Sequence, residues 1–143
     1  MTDHEHELPE GVGEQFIDHM QNPRNIGVLE APRFEAEMTG VCGDSIGVTI
    51  AVNGQRIRSI RVAPRGCAYT VVCASAMSEL AEGKTLDEAL GLEPEAVAEA
   101  LGGLPEDHLH CARLAVNTLG EAIAEYYRTN REKQGTEAGH ADF

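Results

Sequence analysis

Apolar residues along the chain change period twice. Between Gly13 and Met20 they fall at Phe16, Ile17 and Met20, the spacing of a short amphipathic helix. Asn22-Pro23-Arg24-Asn25-Ile26-Gly27 ends that helix with turn chemistry. From Phe34 the period shortens to two. Met38 and Val41 sit near the end of a first expected strand. Ile46, Val48, Ile50 and Val52 then alternate with Gly47, Thr49 and Ala51, as in a half-buried strand. Asn53-Gly54 predicts a tight hairpin turn, because both central positions need φ > 0. Arg56 to Val62 returns as the partner strand, with Ile60 and Val62 on one face.

Beyond this the pattern is helical. Cys67 to Ala81 is rich in small residues, with Val71, Val72, Met77 and Leu80 apolar, and Gly83 supplies a C-terminal cap. Thr85-Leu86-Asp87-Glu88 reads as a capping box opening a short helix. Pro94 suits the first turn of the next, over 95–101, and Gly102-Gly103 stops it. Asp107 opens a long final helix to about Arg128, striped by Leu114, Leu119, Ile123, Tyr126 and Tyr127. Strands followed by helices predict an α+β fold: a three-stranded antiparallel sheet with helices packed on one face. At 143 residues the chain fits one domain. Its expected extent is 11–130, between a disordered N-terminus over 1–10 and a disordered tail over 131–143.

Composition narrows the function. Apolar residues make up 42% and there is no Trp, so Ala, Val, Leu and Ile must build the core. A net charge of −13 argues against nucleic acid and against an anionic membrane surface, both of which need clustered Lys and Arg. No apolar run is long enough to span a bilayer, and the polar start from Met1 to Glu7 does not read as a secretory signal. The expected location is cytoplasmic, where thiols stay reduced. The four cysteines are then metal ligands, nucleophiles or core residues before they are disulfides.

Three cysteines stand where the pattern changes. Cys42 lies in Val41-Cys42-Gly43-Asp44 between the first two strands. Cys67 follows Gly66 between the third strand and the first long helix. Cys111 follows His110 in the first turn of the last helix. Two of them thus lie near helix N-termini, where the dipole favours a thiolate. None of the pairs has the close spacing of a zinc ribbon, so spacing alone leaves two readings open: a metal or sulfur site, or buried structural thiols. Cys73, among Val71, Val72 and Ala74, reads as core. Asp44 is either a turn-capping residue or a hard oxygen ligand beside soft thiolates. His110 is either a helix-start polar residue or an exchangeable nitrogen ligand. His108 reads as solvent-exposed, and His19 carries no usable pattern.

Taken in order, these segments resemble the IscU/NifU-type (NifU N-terminal domain-like) iron–sulfur cluster scaffold family. Asp18-His19-Met20-Gln21-Asn22-Pro23-Arg24-Asn25-Ile26-Gly27 looks like its N-terminal signature. Cys42-Gly43-Asp44, Gly66-Cys67 and His110-Cys111 look like its three ligand motifs, and Gly83 to Ala89 looks like its connecting helix. The resemblance covers roughly residues 14–128. It implies that Cys42, Cys67 and Cys111 are ligands, that Asp44 tunes cluster lability, and that Asp44 or His110 is the fourth ligand. It further implies transient [2Fe–2S] clusters built from iron, with sulfur from a cysteine desulfurase, and delivery to apo-protein acceptors. Zinc at the same site in the isolated protein and a metal-dependent homodimer are also compatible with it. The chain is expected to be a carrier and not an enzyme. Relatives served by an Hsp70-type chaperone carry Leu-Pro-Pro-Val-Lys before the third motif. Here Leu104-Pro105-Glu106-Asp107-His108 stands instead, which leaves chaperone assistance open.

Two other functions compete. One is a zinc-containing persulfide acceptor working with a desulfurase. That branch typically has an insertion between the second and third motifs and lacks the His before the last Cys, whereas this chain has His110. The other is a structural zinc-binding interaction module, disfavoured because closed zinc sites usually use closely paired cysteines.

Overall fold

A computed structural model describes the backbone of residues 13–142 and the side chains through Arg131. The disorder expected over 1–10 lies outside the described residues. Among the described residues, five helices and three strands follow in the order α1 (Glu14–Gln21), β1 (Phe34–Thr39), β2 (Ser45–Asn53), β3 (Arg56–Arg65), α2 (Ala68–Ala81), α3 (Leu86–Leu90), α4 (Pro94–Ala100) and α5 (Leu109–Asp142). A 3₁₀ turn over Glu106–His108 leads into α5. Among the described residues no helix is long and apolar enough to cross a membrane.

The strands form one antiparallel sheet in the order β1-β2-β3, as the alternation predicts. Ile46, Val48 and Ile50 point from β2 into the core. Helix α5 packs on β1 and β2, while α2 packs on β3 and against α1, α4 and α5. Enclosure on several sides explains the composition of α2. Thr70, Val72 to Ser78 and Ala81 are all buried there, and small side chains let neighbouring backbones approach.

Several boundaries differ from the sequence expectation. The hairpin turn is centred on Gly54 and Gln55, both at positive φ, and not on Asn53-Gly54, because Asn53 pairs with Arg56 as the last ladder rung. A bulge lies two rungs further on. Ala51 pairs with Ser59 and Val52 with Ile57, leaving Arg58 as the extra residue. It lets Ile57 and Ile60, three apart, both face the core. Val41 does not belong to β1; it is 94% exposed in the loop before β2. Met20 is exposed on α1, and His19 takes the buried place beside Phe16. The final helix, expected to end near Arg128 with a disordered tail, has a helical backbone to Asp142. Its extension contains Glu, Lys, Gln and Ala, all compatible with helix, and no Pro to stop it.

The segment after α1 ties the two layers together. The Arg24 N–H donates to Ser75 Oγ at 2.8 Å, and Asn25 Nδ2 donates to Ser78 Oγ at 3.0 Å, both on α2. Asn25 sits at φ 58. Its carbonyl accepts from the Val62 N–H at 2.7 Å, and the Gly27 N–H donates to the Val62 carbonyl at 2.9 Å. These bonds satisfy the open edge of β3, which would otherwise present unpaired backbone groups. The chain then reaches β2, where the Leu29 N–H donates to Thr49 Oγ1 at 3.0 Å.

Candidate metal and sulfur site

Three chain segments bring the sequence-predicted residues to one end of the sheet. The loop between β1 and β2 carries Cys42 and Asp44. The junction between β3 and α2 carries Cys67, which is the N-cap of α2. The start of α5 carries His110 and Cys111. Ligand atoms of Asp44, Cys67 and Cys111 all lie within 4.8 Å of one another, with Asp44 half-buried, Cys67 exposed and Cys111 buried. Cys42 stands beside this triad: its Sγ is 3.1 Å from His110 Nε2, which is in turn 3.7 Å from Cys111 Sγ. All five predicted residues therefore meet. Three thiols, a carboxylate and an imidazole make a mainly soft donor set that suits zinc, iron or an iron–sulfur cluster.

Asp44 is held in place by what surrounds α2's first turn. Cys67 makes no side-chain capping bond of its own. Asp44 takes that role from another segment: its Oδ2 accepts from the Thr70 hydroxyl and, at 3.5 Å, from the Cys67 thiol. The Thr70 hydroxyl, with help from the Cys67 backbone N–H, holds the Asp44 carboxyl below the usual carboxylate range against the opposing effect of burial. Gly66, at φ 154, leaves the space in which the carboxylate sits; a side chain there would collide with it.

The thiols differ. Helix position was expected to favour a thiolate at Cys111, but burial pushes this thiol up to about 11 against the opposing Thr70 hydrogen bond. A bound metal would have to displace that proton. Cys73 is fully buried in the core, as its apolar neighbours predict, and burial raises its thiol further still. His108 departs from its expected exposure. Its ring stacks flat on Tyr69, centroids 3.6 Å apart and planes 8° apart, and its Nδ1 is buried without a partner.

Two residues of this region escape the sequence reading. Thr70 is buried at the centre of the site. The available signal was its position three residues after Cys67, which puts both on one helical face. His19 is buried, with Nδ1 2.7 Å from Ser75 Oγ and Nε2 3.5 Å from Glu79 Oε1. Ser75 Oγ already accepts the Arg24 N–H, so its own hydrogen is free for His19 Nδ1, and the imidazole proton falls on Nε2, facing Glu79. Arg24 completes the cluster by pairing with Asp18 and, at 3.3 Å, with Glu79. The N-terminal signature is thus a latch onto α2, two turns from Cys67.

The fold and site together define a small α+β domain that gathers three thiols, a carboxylate and an imidazole at one end. Residues 12–133 match the NifU-like N terminal domain, and the chain belongs to that family. The iron–sulfur cluster assembly scaffold protein IscU 1 of Archaeoglobus fulgidus is 43% identical over 122 residues, spanning 82% of this chain and 77% of its own. The scaffold protein IscU of Escherichia coli strain K12 is 36% identical over 124 residues, spanning 83% of this chain and 95% of its own. The crystal structure of a nitrogen-fixing NifU-like protein (N-terminal) from Brucella abortus shares the fold. Its TM-score is 0.65 at 16% identity, over 81% of this chain and 94% of that one.

Proposed function

We propose that this chain is a scaffold on which iron–sulfur clusters are assembled and from which they are passed on. The observation that carries the reading is the convergence of Asp44, Cys67 and Cys111 within 4.8 Å, with Cys42 and His110 alongside. The names of its relatives support the same function. The cluster is cargo, [2Fe–2S] in this reading. Thiolates of Cys42, Cys67 and Cys111 bind it strongly, and Asp44 or His110 fills the remaining place with a donor more readily displaced. Cys42 and Cys67 are exposed, so cargo can arrive and leave from their side, while buried Cys111 closes the inner end of the site. A cysteine desulfurase supplies sulfur and apo-proteins accept the product. The chain works in the reducing cytoplasm as a carrier, without turning over a small-molecule substrate. Zinc is a competing occupant of the same donors.

A second reading has one observation in its favour. Cys42 is exposed and lies outside the compact triad, so a metal held by Asp44, Cys67 and Cys111 would leave it available as a persulfide acceptor. Anaerobic reconstitution separates the two. The parent is incubated with ferrous iron, cysteine and a desulfurase, then read by absorption, Mössbauer spectroscopy and acid-labile sulfide. A cluster that transfers to apo-ferredoxin and is reduced by Cys42→Ser, Cys67→Ser and Cys111→Ser supports the scaffold. Retained zinc with persulfide on Cys42 alone replaces it with the sulfur-acceptor reading.

A further inference from the structure

Three contacts converge on Thr70. It is fully buried in the first turn of α2, and its hydroxyl is bonded to Asp44 Oδ2. The same Oγ1 lies 3.7 Å from Cys67 Sγ and 3.9 Å from Cys111 Sγ. A neutral hydroxyl is a poor competitor for a metal among thiolates, so the place does not suit a fourth ligand. It suits a residue that orients one. A hydroxyl has one donor, and Thr70 directs it to the carboxylate, leaving its lone pairs toward the sulfurs.

The segment that carries Asp44 gives the carboxylate few other anchors. Its neighbours Val41, Cys42 and Gly43 are exposed, and Gly43 sits at positive φ. The carboxylate accepts from the Thr70 hydroxyl and from the Cys67 thiol and backbone N–H, all at the start of α2. Cys67 keeps its backbone N–H but would give up its thiol hydrogen on binding metal, so that side-chain bond would be lost just when the site fills. The Thr70 bond would not, because no proton of Thr70 is displaced by the metal.

We propose that Thr70 is the positioning residue for Asp44, its hydroxyl holding the carboxylate beside Cys67 and Cys111 so that oxygen and sulfur donors meet one metal cargo. The inference rests on the metal-site reading above and assigns a residue within it. Partners that orient metal ligands typically change affinity about 10- to 100-fold when removed.

Cobalt(II) is the probe, because its d–d bands report geometry and donor type while its thiolate charge-transfer band reports sulfur ligation. The full chain is compared with Thr70→Val, which removes the hydroxyl and keeps the branched shape, and Thr70→Ser, which does the opposite. Asp44→Asn and the double variant complete the set, with Thr70→Ala in place of Val if the latter fails to fold by circular dichroism. Thr70→Val is expected to shift the d–d bands as Asp44→Asn does, keep the charge-transfer band, and lower cobalt affinity about ten-fold. Thr70→Ser should match the parent, and Thr70→Val should add nothing to Asp44→Asn. A parent-like Thr70→Val, a defective Thr70→Ser with an intact Thr70→Val, or additive effects in the double variant each overturn the proposal. A parent that binds cobalt without thiolate bands overturns the metal-site reading and this inference with it. A parent that shows them yet assembles no cluster overturns the scaffold reading alone, and the spectra still decide the role of Thr70.

Discussion

Gly66 and Cys73 test the site at the scale of single residues. Gly66 is at φ 154, and a Cβ would drive into the Asp44 carboxylate. Gly66→Ala is therefore expected to lose about 1–3 kcal/mol in urea unfolding. Zinc affinity should fall with it, since the displaced group is a candidate ligand. Cys73 gives the opposite pattern. Fully buried among apolar side chains, it should tolerate Ala better than Ser, because an unpaired hydroxyl in such a place costs about 1–3 kcal/mol. Neither Cys73 variant should change the number of zinc ions bound. The Cys73 result was legible in the sequence from its neighbours. The place of Thr70 was only half legible: the helix period puts it on the face of Cys67, but no pattern in one dimension places Asp44 within reach of its hydroxyl.

Elements respond through their ends. The capping box on α3 is complete, with the Thr85 hydroxyl accepting the Glu88 N–H at 3.0 Å and the Glu88 carboxylate accepting the Thr85 N–H at 3.0 Å. Thr85→Ala should cost about 1 kcal/mol by thermal unfolding. It should leave metal binding unchanged, because α3 carries no site residue. The latch from the N-terminal signature to α2 depends on pH. Burial, reinforced by the Arg24 charge, holds the His19 imidazole below its ordinary pKa, with Glu79 and Asp18 opposing. The unfolded chain then binds a proton more readily than the folded one. The contribution of His19 is full above the ordinary histidine value of about 6.5 and is lost as pH falls below it toward the folded pKa. The urea midpoint should drop between pH 7.5 and pH 5.5, and His19→Gln should flatten that drop. An equal drop in His19→Gln would assign it to other groups. The motif itself was visible in the sequence; its role as a latch was not, because Ser75, Ser78 and Glu79 lie more than 50 residues away.

For the whole molecule, the site is a product of closure. Its donors come from the β1–β2 loop, the start of α2 and the start of α5, which meet only when the sheet and helices are packed. Any metal held by these donors is therefore linked to folding. Zinc at a hundred times its dissociation constant should add about 2.7 kcal/mol to unfolding, and a chelator should remove it. Cys67→Ser and Cys111→Ser should both abolish most of that gain in calorimetry. If instead they unfold at the parent temperature with zinc present, the ion sits elsewhere.

By itself the sequence determined the elements and the chemistry on offer. Period-two alternation marked β2, a run of small residues marked α2 as a helix, and Cys42, Cys67, His110 and Cys111 stood at element ends. These are local properties, set by backbone geometry and burial period. Tertiary structure decided everything that depends on which distant residues meet. It placed Asp44 with Cys67 and Cys111, left Cys42 beside His110, raised the Cys111 thiol by burial, and moved the hairpin turn by one residue to keep Asn53 paired with Arg56. Distances, burial and hydrogen-bond partners arise only when remote segments pack, and the period of a single chain carries no record of them.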